Sequence, residues 1–597
     1  MSPDHDAAAF DLTNPDIPQM ASRAAAAAPD HPLIRGLSTD TMLVEKDVRI
    51  PTADGTYLVC DVFRPRTEGT YPVLLSSGPY GKDLPFELHW PYEYARAGEQ
   101  SPYMTIETVN PESWVADGYA VVRVDQTGTG KTPGIIDVWS PRDTDHFYDA
   151  IEWAGTQAWS TGKVGLIGIS YYSASQFAVA ARRPPHLAAM IPWEVGHDLY
   201  RELVRNGGIL ANAFVDFWFD FWVLSNQHGQ ESATEEELAK MVVDFRELIR
   251  AHEFADDFWA DRVADVSKID VPIFTAGNWA GPSLTLRSHV EAFDEVSSAN
   301  KWLRIHTGGH IEPFYGEEAR AEQKRFFDHF LREVDNGQHD LPPIHLAIRT
   351  GPQVSWRYEH EWPLARTAWT TMHLDAADTP ALVENEPQSR GTASFNAEAD
   401  DSMWAPVTSY NDVLTSTGAT DHDISRTFLS APLTADTEIT GPLALSLTVS
   451  CSVGDTDLFV TVRDLDPDGN EVVVDGVDNP ETPVTFGWLR LSHRELDPER
   501  STPWRPVLRH TAAAVPEADE IVDVQIEVGP TSWVFQAGHR ICVEIGSRDL
   551  PGAFPFLHND KDDRRTGGTV TIHTGPGTHS ALLLPVIPTG QVPTTAG

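Results

Sequence analysis

From Met42 the chain alternates apolar and polar positions through MLVEKDVRI and TYLVCDVFRP, with a turn signal, ADG, at 53–55. Two antiparallel strands are predicted there. Beyond them the pattern changes to short continuous apolar runs, YPVLLSS, YAVVRVD, KVGLIGIS, LAAMIPW, VPIFTAG and WLRIHTGG, separated by stretches with helical spacing. Apolar runs that do not alternate are strands buried on both faces. Their alternation with helices predicts a mainly parallel α/β sheet. The helix EEARAEQKRFFDHFLREV and the turn DNG at 335–337 close this region. Between LAAMIPW and VPIFTAG, about 198–267, lies an insertion too long for an ordinary crossover, with ATEEELAKMVVDFRELIRAHEF as its clearest amphipathic helix. A helical insertion at that point sits above the carboxyl ends of the strands, where α/β sheets bind ligands. From about 341 the runs LALSLTVSCSV, DLFVTVRDLD, NEVVVDG, EIVDVQIEV, HRICVEIGS and GTVTIHT alternate with turns such as DPDG and RTGG. That pattern predicts a β-sandwich or jelly roll. The expected plan is an N-terminal arm (1–40), an α/β domain (41–340) carrying a helical cap at about 198–267, and an all-β domain (341–597).

The length of 597 residues is compatible with two or three domains. With 41% hydrophobic residues, 18 Trp and 25 Phe there is apolar material for large cores, which excludes a disordered or collagenous chain. The net charge of −44 argues against a nucleic-acid partner, which would require clustered Lys and Arg. Cys60, Cys451 and Cys542 lie far apart with no metal-ligand spacing, so neither a disulfide framework nor a metal site is expected, although one bridge is conceivable. MSPDHDAAAFDLTNPD lacks the basic and apolar regions of a signal peptide, and no apolar run approaches a membrane span. The expectation is a soluble, cytoplasmic protein. Thr127-Gly128-Thr129-Gly130-Lys131-Thr132 resembles the end of a phosphate-binding loop, but the glycine required five residues before Gly130 is Asp125. It reads as a structural turn, and no cofactor is expected.

The central chemical signal is Gly165-Leu-Ile-Gly168-Ile-Ser170-Tyr-Tyr-Ser173. Of the G-x-S triplets in the chain, only this one lies between a β-run and a helical pattern (Ala174, Phe177, Ala178, Ala181), the context of a nucleophile elbow. Gly168 supplies the small residue at −2, whereas position +2 is Tyr172. A serine nucleophile needs a base, and in such folds the histidine follows the last main strand. WLRIHTGGHIEPFY offers His310 just past the Gly-Gly hinge, with His306 as a competitor inside the strand.

The segment DTDHFYDAIEWAGTQAWSTGKVGLIGISYYSASQFAVAARRPPHLAAMIP resembles the cocaine esterase and X-prolyl dipeptidyl aminopeptidase family of serine hydrolases, and the resemblance extends over most of the chain outside residues 1–40. It implies an α/β-hydrolase core, an inserted helical cap and a C-terminal jelly roll. It also implies an oxyanion hole, with Ser77-Gly78-Pro79-Tyr80-Gly81-Lys82 placing the Tyr80 hydroxyl beside the backbone N–H of Tyr171. The family's acid normally follows the strand VPIFTAG, but in Gly277-Asn278-Trp279-Ala280-Gly281 that position is Ala280. The preceding strand end offers Glu194 instead, with Asp198 and Glu312 as alternatives. The aromatic run Phe217–Trp222 reads as cap core or as substrate pocket, with Trp218, Phe219, Trp222 and Trp279 as pocket candidates.

Together these features point to hydrolysis of a small carboxylic ester through an acyl-enzyme. One alternative is an amidase, aminopeptidase or α-amino acid ester hydrolase, for which Asp216 and Asp220 are the candidate ammonium ligands. Another is a binding protein without a complete triad. The resemblance also implies a homodimer.

Overall fold

The computed structural model describes residues 20–228, 234–399, 401–404, 423–477, 479, 481–549 and 556–588. Its first half is built on one sheet of strands β1 (Met42–Pro51), β2 (Tyr57–Pro65), β3 (Tyr71–Gly78), β4 (Ala120–Asp125), β5 (Ser160–Ile169), β6 (Leu187–Trp193), β7 (Ile273–Asn278) and β8 (Lys301–His306). Their spatial order is β1-β2-β4-β3-β5-β6-β7-β8. The β1/β2 and β2/β4 pairs are antiparallel, and every later pair is parallel. The apolar runs of the sequence thus become strands buried from both sides. Val73, Leu75, Val164 and Leu166 feed one core, and their neighbours Leu74, Ile167 and Ile169 feed the other. One core is covered by the helix Pro141–Gly155, which starts where Ser140 accepts from the Asp143 N–H and buries Phe147, Ala150, Ile151 and Ala154. The other is covered by Glu317–Arg332, through Phe326, Phe327 and Leu331.

Two features depart from the sequence pattern. The sheet does not stop at residue 340, because β9 (Ile344–Thr350) pairs in parallel with β8. The expected long helix of the insertion is broken into Glu235–Ala239 and Phe245–Ala251. Between them the chain is extended against Ile136, which donates to the Met241 carbonyl and accepts from the Val243 N–H, and Asp244 then caps the second piece. Tertiary pairing of the β-branched Val242-Val243 step outweighs its helical spacing.

The second half is mostly antiparallel β. The long strand Thr437–Cys451 pairs with Val522–Phe535 and with Thr569–Thr574 and Ala581–Ile587. Asp457–Leu465 pairs with Thr485–Arg490 and Arg540–Gly546. Leu445, Leu447, Val460, Val462, Ile526 and Val543 share one apolar core. Buried ions join this unit to the insertion: Arg490 pairs with Asp457 and Asp563, and Asp563 also pairs with Arg205.

Of the N-terminal arm, residues 1–19 lie outside the described residues, and Met20–Ala27 and Pro32–Arg35 are short helices. All three cysteines are free and buried, so no bridge forms. Among the described residues no helix is long and apolar enough to cross a membrane.

Candidate active site

Ser170 sits between β5 and the helix Tyr171–Ala180 with φ 60° and ψ −120°. That conformation is costly for a residue with a side chain, and strain of this kind is characteristic of a serine held out of a sharp turn. Crowding around the turn is relieved by glycine. A Cβ on Gly168 would lie 2.5 Å from the Cβ of Tyr172, and one on Gly78 would lie 2.6 Å from the Tyr172 ring. Room made at positions 78 and 168 is therefore what allows a tyrosine at +2.

The turn is tied to two neighbouring segments. Ser170 N–H donates to the Trp193 carbonyl (3.0 Å), and Ile169 N–H donates to the Glu107 carbonyl (3.0 Å). Both segments are strained in turn, with φ 51° at Glu194, 48° at Val195 and 61° at Glu107. Left-handed β-branched valine is a genuine outlier. Together with Ser170 and Trp139, these residues make five of the ten non-glycine positive-φ positions among the described residues. Strain is concentrated at this one place.

His310, on the loop after β8, meets Glu194 from the end of β6, with Nδ1 2.6 Å from Oε2. Asn278, at the end of β7, donates its amide to Glu194 Oε1 (3.1 Å) and to the Gly308 carbonyl (2.9 Å). His306 Nε2 lies 3.2 Å from the same Oε1, and its ring stacks on Trp193. Burial pushes the Glu194 carboxyl up, but His310 and His306 outweigh it and hold it below its usual range. Burial pulls the His310 imidazole down, and Glu194 and then Glu107 overcome this and hold it well above its ordinary value. The residues are largely sequestered: Ser170 is 9% exposed, His310 8% and Glu194 0%.

Near the serine, burial pushes the Tyr80 phenol up by more than the Trp218 and Ser170 side chains lower it, which keeps it protonated. Trp218 Nε1–H donates to the Tyr80 oxygen at 2.9 Å. An indole can only donate, so Tyr80 accepts there and its own proton is left to point elsewhere. The Tyr171 N–H opens a helix, where the first amides have no partner within the helix.

The remaining sequence candidates separate clearly. Trp218 stacks on Trp139 (4.9 Å) and orients Tyr80, so it supports the donor rather than lining open space. Trp222 packs on Tyr80 (5.7 Å) and His89 (4.5 Å). Phe219 is wholly buried. Trp279 is a correction: it is wholly buried, and its indole donates to the Ala347 carbonyl within an apolar cluster with Leu286, Leu303 and Ile305. Asp216 is paired with Arg250 and Asp220 with Arg246. Asp198 is held by Arg201, and Glu312 by Arg96. Ala280 joins the apolar core of the second half. In the glycine-rich turn, the N–H groups of Lys82 and Lys131 both donate to Asp125, so a carboxylate occupies the place a phosphate would take.

Sequence reasoning missed Glu107, Asn278 and the second role of His306. Asn278 carries a usable signal, since it ends a buried strand beside Gly277. Glu107 lies in a loop without periodicity and carries none.

The X-Pro dipeptidyl-peptidase (S15 family) model matches residues 54–312, and the X-Pro dipeptidyl-peptidase C-terminal non-catalytic domain model matches 336–583. A CocE/NonD family hydrolase from Staphylococcus aureus is 30% identical, with a TM-score of 0.79 over 92% of this chain and 94% of that one. Cocaine esterase from Rhodococcus sp. (strain MB1 Bresler) is 26% identical over 91% of this chain and 98% of its own length. An α-amino acid ester hydrolase shares the fold at 18% identity, with a TM-score of 0.67.

Proposed function

The chain belongs to the CocE/NonD family of X-Pro dipeptidyl-peptidase-type serine hydrolases, and we propose that it cleaves small carboxylic esters through an acyl-enzyme. Ser170 attacks the ester carbonyl while His310 Nε2 takes its proton. Glu194 holds Nδ1–H and so fixes the tautomer, and the Tyr80 hydroxyl and Tyr171 N–H receive the oxyanion. His310 then protonates the leaving alcohol, and water repeats the sequence on the acyl-enzyme.

The observation that carries this reading is the 2.6 Å contact between His310 Nδ1 and Glu194 Oε2 beside the strained Ser170 turn. It supplies a carboxylate where Ala280 leaves none. A serine-directed fluorophosphonate tests the reading. Labelling of the native protein that disappears in Ser170→Ala supports it, and an unlabelled native protein refutes it.

A second reading, an acyl group bearing an ammonium, is favoured by the Glu107 carboxylate beside His310. Comparing p-nitrophenyl esters of an amino acid with free and acetylated amines separates the two, because only an ammonium-binding site prefers the free amine. The acidic surface likewise favours neutral or cationic esters over anionic ones.

We further read the insertion as a helical cap and the second half as a jelly roll. The two antiparallel layers around one core support the latter. The boundaries 1–40, 41–340 and 341–597 are kept, with β9 as a strand lent to the first sheet. Three buried free thiols support a reducing, cytoplasmic setting. The homodimer rests on the family resemblance, and light scattering tests it.

A further inference from the structure

His310 has carboxylates on both sides. Glu194 meets Nδ1 at 2.6 Å, and Glu107 Oε1 lies 3.3 Å from Nε2, the nitrogen that has to receive the serine proton. Glu107 is 5% exposed and is held in a left-handed backbone conformation by the loop whose carbonyl receives Ile169 N–H. An imidazole facing a carboxylate at each nitrogen is most stable with both nitrogens protonated, because only the cation donates twice. That form cannot act as a base.

We propose that Glu107 is a positioning residue that clamps the Nε2 side of His310 in the resting enzyme, so that His310 becomes a base only once this contact is released. The inference rests on the serine-hydrolase reading and deepens it by assigning a control on the base.

The surroundings leave Glu107 as the group that acts on this face. Tyr80 and Tyr172 stand near it, each with its phenol pushed up by burial and by the Glu107 charge, and Tyr315 is pushed up by burial, by Glu99 and then by Glu107. Arg123, next to Tyr315, donates its two terminal nitrogens to the Tyr103 and Val109 carbonyls. On the other side, His306 and His289 face Glu194. A charged Glu107 also opposes the negative oxyanion that forms at Tyr80. It therefore restrains the reaction twice, through the base and through the field.

The test is the pH dependence of Ser170 labelling by a fluorophosphonate. In Glu107→Gln the acidic limb moves to lower pH by about 1–3 units, the range a nearby opposite charge produces, and the variant labels faster than wild type near pH 6. Glu107→Asp, which keeps the charge, retains a limb close to that of wild type. Coincident wild-type and Glu107→Gln profiles, with wild type labelled normally, overturn the inference and leave the serine hydrolase standing. A wild type that never labels removes both. Proton NMR of wild type provides a readout that needs no Glu107 variant, with the signals assigned by their loss in His310→Asn. Two downfield imidazole N–H resonances at neutral pH are expected, and a single one overturns the clamp.

Discussion

β6 and β7 end side by side beneath His310 and treat it differently. β6 is followed at once by Glu194, a wholly buried carboxylate on a left-handed backbone that reaches the imidazole. β7 ends in Asn278, a neutral side chain that donates to Glu194 and to the Gly308 carbonyl on the histidine's own loop. Two residues on, Ala280 has turned into the apolar core of the β-domain. One strand end thus supplies charge and the other supplies geometry. The division has a physical reason. A second carboxylate at the end of β7 would face Glu194 at close range, and two such groups cannot both stay ionised, so one would take up a proton. A neutral donor there leaves Glu194 free to remain charged.

Removing the charge should have the largest effect. Glu194→Gln preserves shape but lets His310 adopt the wrong tautomer, so kcat on a p-nitrophenyl ester is expected to fall about 10³–10⁴-fold with circular dichroism unchanged. Wild-type kinetics in this variant would move the acid role to another residue. Next comes the oxyanion side. Tyr80→Phe should lower kcat about 10²–10³-fold with little change in KM, because the lost bond is made chiefly in the transition state. Trp218→Phe, which removes only the group that turns the Tyr80 hydroxyl, should cost less, about tenfold. Equal losses in the two would mean that Trp218 touches substrate itself.

Removing geometry while keeping charge is a smaller change. Asn278→Ala deletes both donations but leaves Glu194 beside His310 and, at 3.2 Å, His306. About a tenfold fall in kcat is expected, roughly 1.4 kcal/mol. A fall as large as that of Glu194→Gln would show that the carboxylate cannot hold its position alone.

The same contrast explains what was legible in the sequence. Ser170, His310 and Glu194 lie at points where strand periodicity breaks into a turn, and such breaks can be seen in a single chain. The strands of the parallel sheet follow from the same apolar runs. Glu107 is invisible because its loop reaches the site only through tertiary pairing, with Ile169 N–H as the tie. Trp279 misled for the opposite reason. Its Asn-Trp-Ala-Gly setting resembles an exposed turn, yet its indole points inward to the Ala347 carbonyl on β9, a strand some 70 residues further along. The aromatic run 217–222 could not be divided from sequence, because the chain passes there from an α-helix into a wider π-helical turn at Phe219–Val223. The predicted cap helix failed at Val242-Val243, where pairing with Ile136 decides the backbone.

The smallest effect is one of stability, and its sign with pH is fixed. The folded Glu194 carboxyl stands below its ordinary value, so its contribution is present above about pH 4.5 and is lost as pH falls through the folded value. The folded His310 stands above its ordinary value, so its contribution is complete below about pH 6.5 and is lost as pH rises through the folded value. Both hold together between those limits. The apparent Tm of Glu194→Gln should therefore fall furthest below wild type near pH 5.5 and approach it at alkaline pH, where His310 is neutral in both. With the pair worth about 1–2 kcal/mol, the gap is about 1–2 °C for the whole 597-residue chain by calorimetry. Glu107 sharpens the comparison. Because it adds a second carboxylate to the same imidazole, Glu107→Gln should narrow the window from its alkaline side and leave the acid side, set by Glu194, unchanged. A window that moves at its acid edge instead would show that Glu107 acts on the structure around Glu194 rather than on His310.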